Sequence, residues 1–195
     1  MSGHITKRIL LSISMILYFV MCGGVLTHQQ MKMRQLPKWV TLSKKLEIVQ
    51  IQQETISVSL KEGILKLYSE QFEYESDSTW IVADCIFLDV DHDEETEVLL
   101  HVWKQGSFGE YQPFWRKQDN QTLYSEHLFL YEWDKKRADR LDPKWMSSAM
   151  PVYGKVVSAE ANGDISILSP DGSETLWRWE DWGLILIQSQ KSDEQ

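Results

Sequence analysis

The chain has 195 residues and a formal net charge of −9, which fits one domain of ordinary size plus a shorter additional segment. Residues 1–45 contain seven Lys or Arg residues and no acid, so the acidic excess belongs to the rest of the chain. Such an acidic domain repels phosphate backbones, and we exclude nucleic acid as a partner.

The first predicted element is a membrane segment. Residues 9–26 are 18 consecutive residues without a charge, and they follow a short N-terminal tail, residues 1–8. A helix of this length spans roughly 27 Å, close to the hydrocarbon thickness of a bilayer. We predict a single transmembrane signal-anchor in the cell membrane, with membrane lipid as a partner. A cleaved secretory signal, favoured by the small residues 23–24, and a lipid anchor at Cys22 are the alternatives.

Residues 27–45 are predicted to be a basic juxtamembrane linker, either solvated or lying against anionic headgroups. Lys and Arg are more frequent after the apolar segment than before it, which favours a cytoplasmic domain under the positive-inside rule. A short tail before an apolar segment is, however, typical of exported proteins. We therefore expect an extracytoplasmic domain, and a cytoplasmic one is the alternative.

Residues 46–189 are predicted to form an all-β domain of antiparallel hairpins, followed by a polar tail, residues 190–195. Short segments that alternate apolar and polar side chains recur along this region, and helical spacing is rare. The turn Pro170-Asp171-Gly172 lies between two such segments and is typical of a hairpin.

Two architectures fit these strands: a β-sandwich, or a set of propeller-blade-like sheets. The second is favoured by a loose repeat that places Trp late in each unit. The three units are centred on Trp103, on residues 133–145 and on residues 177–182. Three blades are too few to close a ring alone.

The most distinctive motif is an acidic loop between two apolar segments, "LDVDHDEETEVLL", over residues 88–100. Calcium prefers six to eight oxygen ligands, and alternating carboxylates on a tight turn can supply several of them. A standard EF-hand is excluded because Leu100 occupies the position of its bidentate acid. The predicted ligands of a structural Ca²⁺ are four carboxylates and one main-chain carbonyl: Asp89, Asp91, Asp93, Glu97 and the carbonyl of Glu95.

This loop resembles the Asp-x-Asp-x-Asp-Gly-x-x-Asp/Glu calcium loop of FG-GAP/VCBS-type repeats, which occur in β-propellers of extracellular proteins. The resemblance covers about twenty residues. It implies that the loop joins two strands, and that the apolar pair Val98 and Leu99 begins the second strand. The glycine of the family is replaced by Glu94, at a position where the backbone favours positive φ. A weak site of this kind fills where calcium is near millimolar, outside the cell.

Residues 102–120 form an aromatic segment with interleaved polar side chains and three turn-forming residues. Such a segment can stack on sugar rings or grip a peptide, and the alternative is that its rings form a small core under the loop. The candidate ligand-binding residues are Trp103, Phe108, Tyr111, Phe114 and Trp115. Catalytic motifs with nucleophile, metal-ligand or phosphate-loop spacing are absent from the sequence, so we expect a protein that is not an enzyme.

These observations predict a membrane-anchored, extracytoplasmic, non-enzymatic β domain that binds or scaffolds at the cell envelope, with an envelope protein or glycan as its partner. An accessory or enzymatic protein that acts on envelope polysaccharide through residues 102–120 is the first alternative. A cytoplasm-facing membrane regulator is the second.

Overall fold

A computed structural model describes residues 31–51, 53–70, 72–109, 122–133 and 141–191. The chain divides into two compact units, residues 1–36 and residues 37–195. In the first unit, the described part is a helical turn over 31–33 and the turn that follows it.

The predicted tail 1–8 and transmembrane segment 9–26 lie outside the described residues, as do residues 192–195. In the part of the chain that the structure describes, no helix is both long and apolar enough to cross a membrane.

The second unit confirms the predicted all-β class, since its described residues form strands and connections without a helix. Its strands are β1 Lys45–Ile51, β2 Glu54–Lys61, β3 Ile64–Tyr68, β4 Glu73–Glu75, β5 Ile81–Leu88, β6 Glu97–Gln105, β7 Tyr124–Trp133, β8 Leu141–Met146, β9 Val156–Ala159, β10 Ile165–Leu168, β11 Glu174–Glu180 and β12 Gly183–Gln190.

These strands form three antiparallel sheets, each made of four strands that are consecutive in the chain: β1–β4, β5–β8 and β9–β12. The predicted hairpin turn connects β10 to β11, and Gly172 there adopts a φ of 84°. The predicted repeat boundaries are wrong, because Trp103, Trp133 and Trp145 belong to the same sheet. Tryptophan spacing failed as a marker because none of the residues of β1–β4 is a Trp.

The central sheet, β5–β8, is covered on both faces. In β6, Leu100 and Val102 pack in one apolar cluster with the first sheet, whereas Leu99 packs in a second cluster with the third sheet. This explains why "EVLLHVW" is nearly continuous in its apolar character, since a strand buried on both faces has no need for polar alternation.

The first strands of the three sheets begin at the same end of the unit. Val82 at the start of β5 donates its N–H to the carbonyl of Gly63, and Gly154, just before β9, donates to Glu126 near the start of β7. We call this end the tether end, because the chain enters the unit there at Pro37. The opposite end carries the β5–β6 loop, and we call it the acidic end.

The compact unit begins at Pro37 rather than at the predicted boundary, Leu46. Trp39 lies edge-on to Trp103, with ring centroids 5.6 Å apart, and the Ser43 N–H donates to the carbonyl of Ala83 at 2.8 Å. The second half of the predicted linker is therefore held against the sheets. At the other terminus, β12 continues one residue beyond the predicted domain boundary at residue 189.

Candidate functional site

The acidic loop connects β5 to β6 and is closed by its own carboxylates. The two oxygens of Asp89 accept the N–H groups of Asp93 and Glu94 at 3.2 and 3.1 Å. Asp93 Oδ1 accepts the N–H of Glu95 at 2.9 Å. These bonds satisfy backbone donors that a tight turn leaves without strand partners.

The loop requires left-handed backbone at two residues that are not glycine. His92 has a φ of 62° and Glu94 a φ of 69°. Positive φ was expected at Glu94, so the expected backbone conformation is present although glycine, the residue that favours it, is not. A non-glycine residue in this region costs about 1 kcal/mol.

The loop brings three of the four predicted carboxylates together. One carboxylate oxygen each from Asp89, Asp91 and Glu97 lies within 4.8 Å of the others. Asp93 instead uses its carboxylate within the turn, where it accepts the N–H of Glu95.

A lysine from a distant strand lies among these carboxylates. Lys144 of β8 extends its Nζ to 2.7 Å from Asp91 Oδ2 and to 2.7 Å from Glu97 Oε1. Glu132 Oε2 is 3.9 Å away, and the Trp179 ring centroid is 5.7 Å away. The ammonium thus supplies the positive charge that a bound cation would otherwise bring.

The sequence offered no signal for this lysine. Lys144 is 47 residues from Glu97, and it reaches the loop because β8 lies beside β7 in the central sheet. Only the antiparallel order of the sheet, which a single sequence does not specify, brings the two together.

Burial and pairing oppose each other in this cluster. Burial raises the pKa of Glu97, whose side chain is 1% exposed, and the hydrogen bonds from Lys144 and Val90 offset only part of that effect. Burial also disfavours the Lys144 ammonium, but the carboxylates of Asp91 and Glu97 outweigh it and raise the pKa of Lys144. The lysine is therefore charged at neutral pH.

The aromatic segment is divided by the structure. Trp103 lies in β6 with 1% of its surface exposed, stacked on Tyr153 at 6.0 Å, so its ring is core rather than a ligand platform. Phe108 is half-buried, and its carbonyl accepts a hydrogen bond from the Lys104 ammonium at 2.7 Å. The other three candidates, Tyr111, Phe114 and Trp115, lie outside the described residues.

A different aromatic site appears beside Gly109. A cleft of about 300 Å³ opens on the face of the central sheet that also packs against the first sheet. Trp80 and Phe129 form part of its wall and meet edge-on, with ring centroids 4.9 Å apart. The lining is Trp80, Gly109, Phe129, Tyr131, Pro143 and Met146. Its volume is at the lower limit of small-ligand sites.

A second buried carboxylate lies near the tether end. Both oxygens of Glu126 accept the Gly154 N–H, at 2.8 and 2.7 Å, and Glu126 Oε1 is 2.8 Å from His101 Nε2. That last contact has the distance of an ion pair but not the direction of a hydrogen bond, since His101 Nε2 has no hydrogen-bond partner among the described residues.

The neighbouring His127 is fully buried and serves the backbone. Its Nδ1 lies 3.0 Å from the carbonyl of Ser147, and its Nε2 lies 3.0 Å from Ser125 Oγ and 3.2 Å from the carbonyl of Gly106. Burial lowers the pKa of His127, so its imidazole is neutral at physiological pH. Through these contacts the ring links the β6–β7 connection, at Gly106, to the β8–β9 connection, at Ser147.

No protein-family model and no curated protein matches this chain.

Proposed function

We propose that this chain is a membrane-anchored, extracytoplasmic and non-enzymatic β domain that binds or scaffolds at the cell envelope. The apolar segment 9–26 anchors it in lipid, and the three sheets stack as propeller-like blades. The stacking proposal is supported by the two-sided burial of the central sheet and by the common direction of the three first strands.

The observation that carries the proposal is the chemistry of the aromatic cleft. Among the described residues, its lining contains no carboxylate, imidazole, amine or thiol, and the Tyr131 phenol is the ionisable group there, so it offers mainly shape and apolar surface. The buried ionisable groups Glu97, Glu126 and His127 are elsewhere, and each is engaged by a neighbouring strand or connection. A site of this composition suits recognition of an apolar or planar surface.

The test is a photo-crosslinking side chain introduced at Pro143, on the cleft, with the same group at Lys66 on β3 as the matched control. We expect crosslinks to an envelope protein from position 143 and few from position 66. Equal crosslinking from both positions would contradict the proposal. A reporter active on only one side of the membrane, fused to the C-terminus, tests the extracytoplasmic orientation separately.

The polysaccharide alternative is favoured by one observation, the aromatic wall of the cleft next to Gly109 within residues 102–120. Aromatic faces stack on sugar rings, so this alternative predicts saturable binding of soluble envelope oligosaccharides to the full chain in detergent micelles. A Trp80→Leu variant should then lose the binding, whereas Trp182→Leu, which changes an exposed ring at the acidic end, should keep it.

Calcium binding at Asp89, Asp91 and Glu97 is a separate part of the proposal. It is supported by the convergent oxygens and by Asp91 Oδ1, which is buried and accepts no hydrogen bond from a described residue. A calcium ion would have to displace or share these oxygens with Lys144. The test is the melting temperature of the full chain at millimolar calcium, with magnesium as the control; an unchanged melting temperature would rule the calcium site out.

A further inference from the structure

The two ends of the second unit differ in charge. Among the described connections between strands, the acidic end contains nine acidic residues and neither Lys nor Arg. These residues are Glu70, Asp89, Asp91, Asp93, Glu94, Glu95, Glu160, Asp164 and Asp181.

The tether end is close to neutral. Its described connections and the residue after β12 contain four lysines and three acids, Lys38, Lys44, Lys155, Lys191, Glu62, Asp77 and Asp171. Lys38, Lys44 and Lys155 are all exposed, and they lie in the two connections that the Trp39 and Tyr153 rings bring together.

The tether end also exposes apolar surface. Tyr153 is 56% exposed although one face of its ring stacks on Trp103, and Leu123, which follows the long β6–β7 connection, is 64% exposed. Tyrosine, aliphatic and lysine side chains together are the composition that lies at membrane–water interfaces, where the ring sits among the headgroups and the ammonium reaches phosphate.

The point at which the chain enters the unit is fixed. Trp39 packs on Trp103 at 5.6 Å and on Tyr153 at 5.9 Å, so residues 37–44 cannot turn freely relative to the sheets. Only ten residues, 27–36, separate Pro37 from the predicted anchor. Even fully extended, they reach about 35 Å.

We propose that the tether end of the β unit is a docking surface for the anionic lipid headgroups of the membrane in which the chain is anchored. Lys38, Lys44 and Lys155 contact the headgroup phosphates, and Tyr153 and Leu123 lie at the interface. The acidic end then points away from the membrane, because like charge keeps it from the anionic surface. This inference rests on the proposed anchorage.

The test uses the full chain in nanodiscs made of phosphatidylcholine alone or of phosphatidylcholine with phosphatidylglycerol. A fluorophore is attached at Tyr153→Cys or, for comparison, at Glu94→Cys, both in a Cys22→Ala background, and is quenched by headgroup spin-labelled lipid. We expect several-fold stronger quenching at position 153 than at position 94. We also expect this difference to grow with phosphatidylglycerol and to shrink with added salt.

Charge reversal gives the matched control. Lys155→Glu at the tether end should reduce the phosphatidylglycerol-dependent quenching at position 153, and Lys66→Glu on β3 should leave it unchanged. Equal quenching at positions 153 and 94 would overturn the docking surface while leaving the anchorage intact. Release of the chain from carbonate-washed membranes would instead refute the anchorage, and the inference with it.

Discussion

Two buried glutamates of the central sheet show different ways of keeping a carboxylate out of water. Glu97 begins β6 at the acidic end and is paired with a lysine ammonium and the N–H of Val90. Glu126 lies in β7 near the tether end and is held by the N–H of Gly154 and by a histidine. Each side chain is no more than 1% exposed.

The two sites differ in how much of each the sequence reveals. Glu97 belongs to a visible motif, and its position there predicted a ligand role. Glu126 belongs to an alternating strand and carries no motif, yet it connects β6, β7 and the connection that precedes β9. In both sites the decisive partner comes from a distant part of the chain, so the apparent function of the motif depends on a residue outside it.

Glu126→Ala should have the largest effect. It leaves the Gly154 N–H buried without an acceptor and His101 without its negative neighbour, which should lower the free energy of unfolding by roughly 3–5 kcal/mol. Urea unfolding of the full chain in detergent micelles, followed by tryptophan fluorescence, measures this. Glu180→Ala, which removes an exposed carboxylate on β11, is the matched control and should change it by less than about 0.5 kcal/mol.

Gly154→Ala tests the same contact from the other side. A Cβ at this position would lie 2.7 Å from Glu126 Oε1 and 2.9 Å from Ile167 Cγ2. The carboxylate would have to move, and we expect a loss of about 1–3 kcal/mol. If Gly154→Ala had the same urea midpoint of unfolding as the wild type, the carboxylate of Glu126 would not lie against the backbone at Gly154.

Lys144→Met should have the next largest effect, because it leaves Glu97 buried without its cation. We expect a loss of about 3 kcal/mol in the free energy of unfolding. Adding Glu97→Gln to this variant should recover part of the loss, and the double-mutant cycle measures the coupling of the pair. Lys155→Met is the control for removing an exposed lysine.

The same variant sharpens the calcium question. With the ammonium gone, millimolar calcium should raise the melting temperature of Lys144→Met more than that of the wild type, since the three carboxylates then have no internal cation. An equal response in both proteins would mean that Lys144 does not occupy the position of the cation.

Much of the fold could be predicted from local patterns. The alternating segments gave the strands, the Pro170-Asp171-Gly172 turn gave the β10–β11 hairpin, and the acidic loop gave the β5–β6 connection with positive φ at Glu94. These features depend on neighbours within a few residues, and periodicity and turn chemistry are therefore sufficient to find them.

The candidate site was less predictable, because its partners are distant in the chain. Lys144 reaches Glu97 only through the order of strands in the sheet, and nothing near Lys144 marks it as a partner. Trp103 was assigned to the aromatic loop because of the turn-forming residues Gly106, Gly109 and Pro113, but β6 continues to Gln105 and buries Trp103 against Trp39. The aromatic cleft likewise combines residues from four separated parts of the chain.

A third buried ionisable group, the thiol of Cys85, should make the free energy of unfolding depend on pH in the alkaline range. Burial raises the pKa of the Cys85 thiol to about 12 from 9.0, so the folded chain keeps its proton where the unfolded chain has lost it. The contribution of this thiol to the free energy of unfolding is therefore fully present below about pH 9. It should fall by roughly 2–3 kcal/mol by about pH 11. Urea unfolding across this range measures the slope.

The variant Cys85→Ala isolates this contribution. It should flatten the alkaline loss of stability, leaving the smaller part from Tyr74, whose pKa burial also raises to about 12. An identical alkaline slope in the variant and the wild type would show that the thiol is not the group responsible.

The smallest expected effect returns to the acidic loop and separates its backbone from its charge. Glu94→Gly should raise the free energy of unfolding by about 1 kcal/mol, because glycine adopts the φ of 69° without the steric cost that a Cβ brings. Glu94→Ala removes the same charge but keeps the Cβ, so it should give less stabilisation. If Ala and Gly stabilise equally, repulsion among the loop carboxylates, rather than backbone strain, is the cost of glutamate at this position. If only Gly stabilises, backbone strain is that cost, and the loop keeps its left-handed backbone at Glu94 through its own hydrogen bonds and the contact with Lys144.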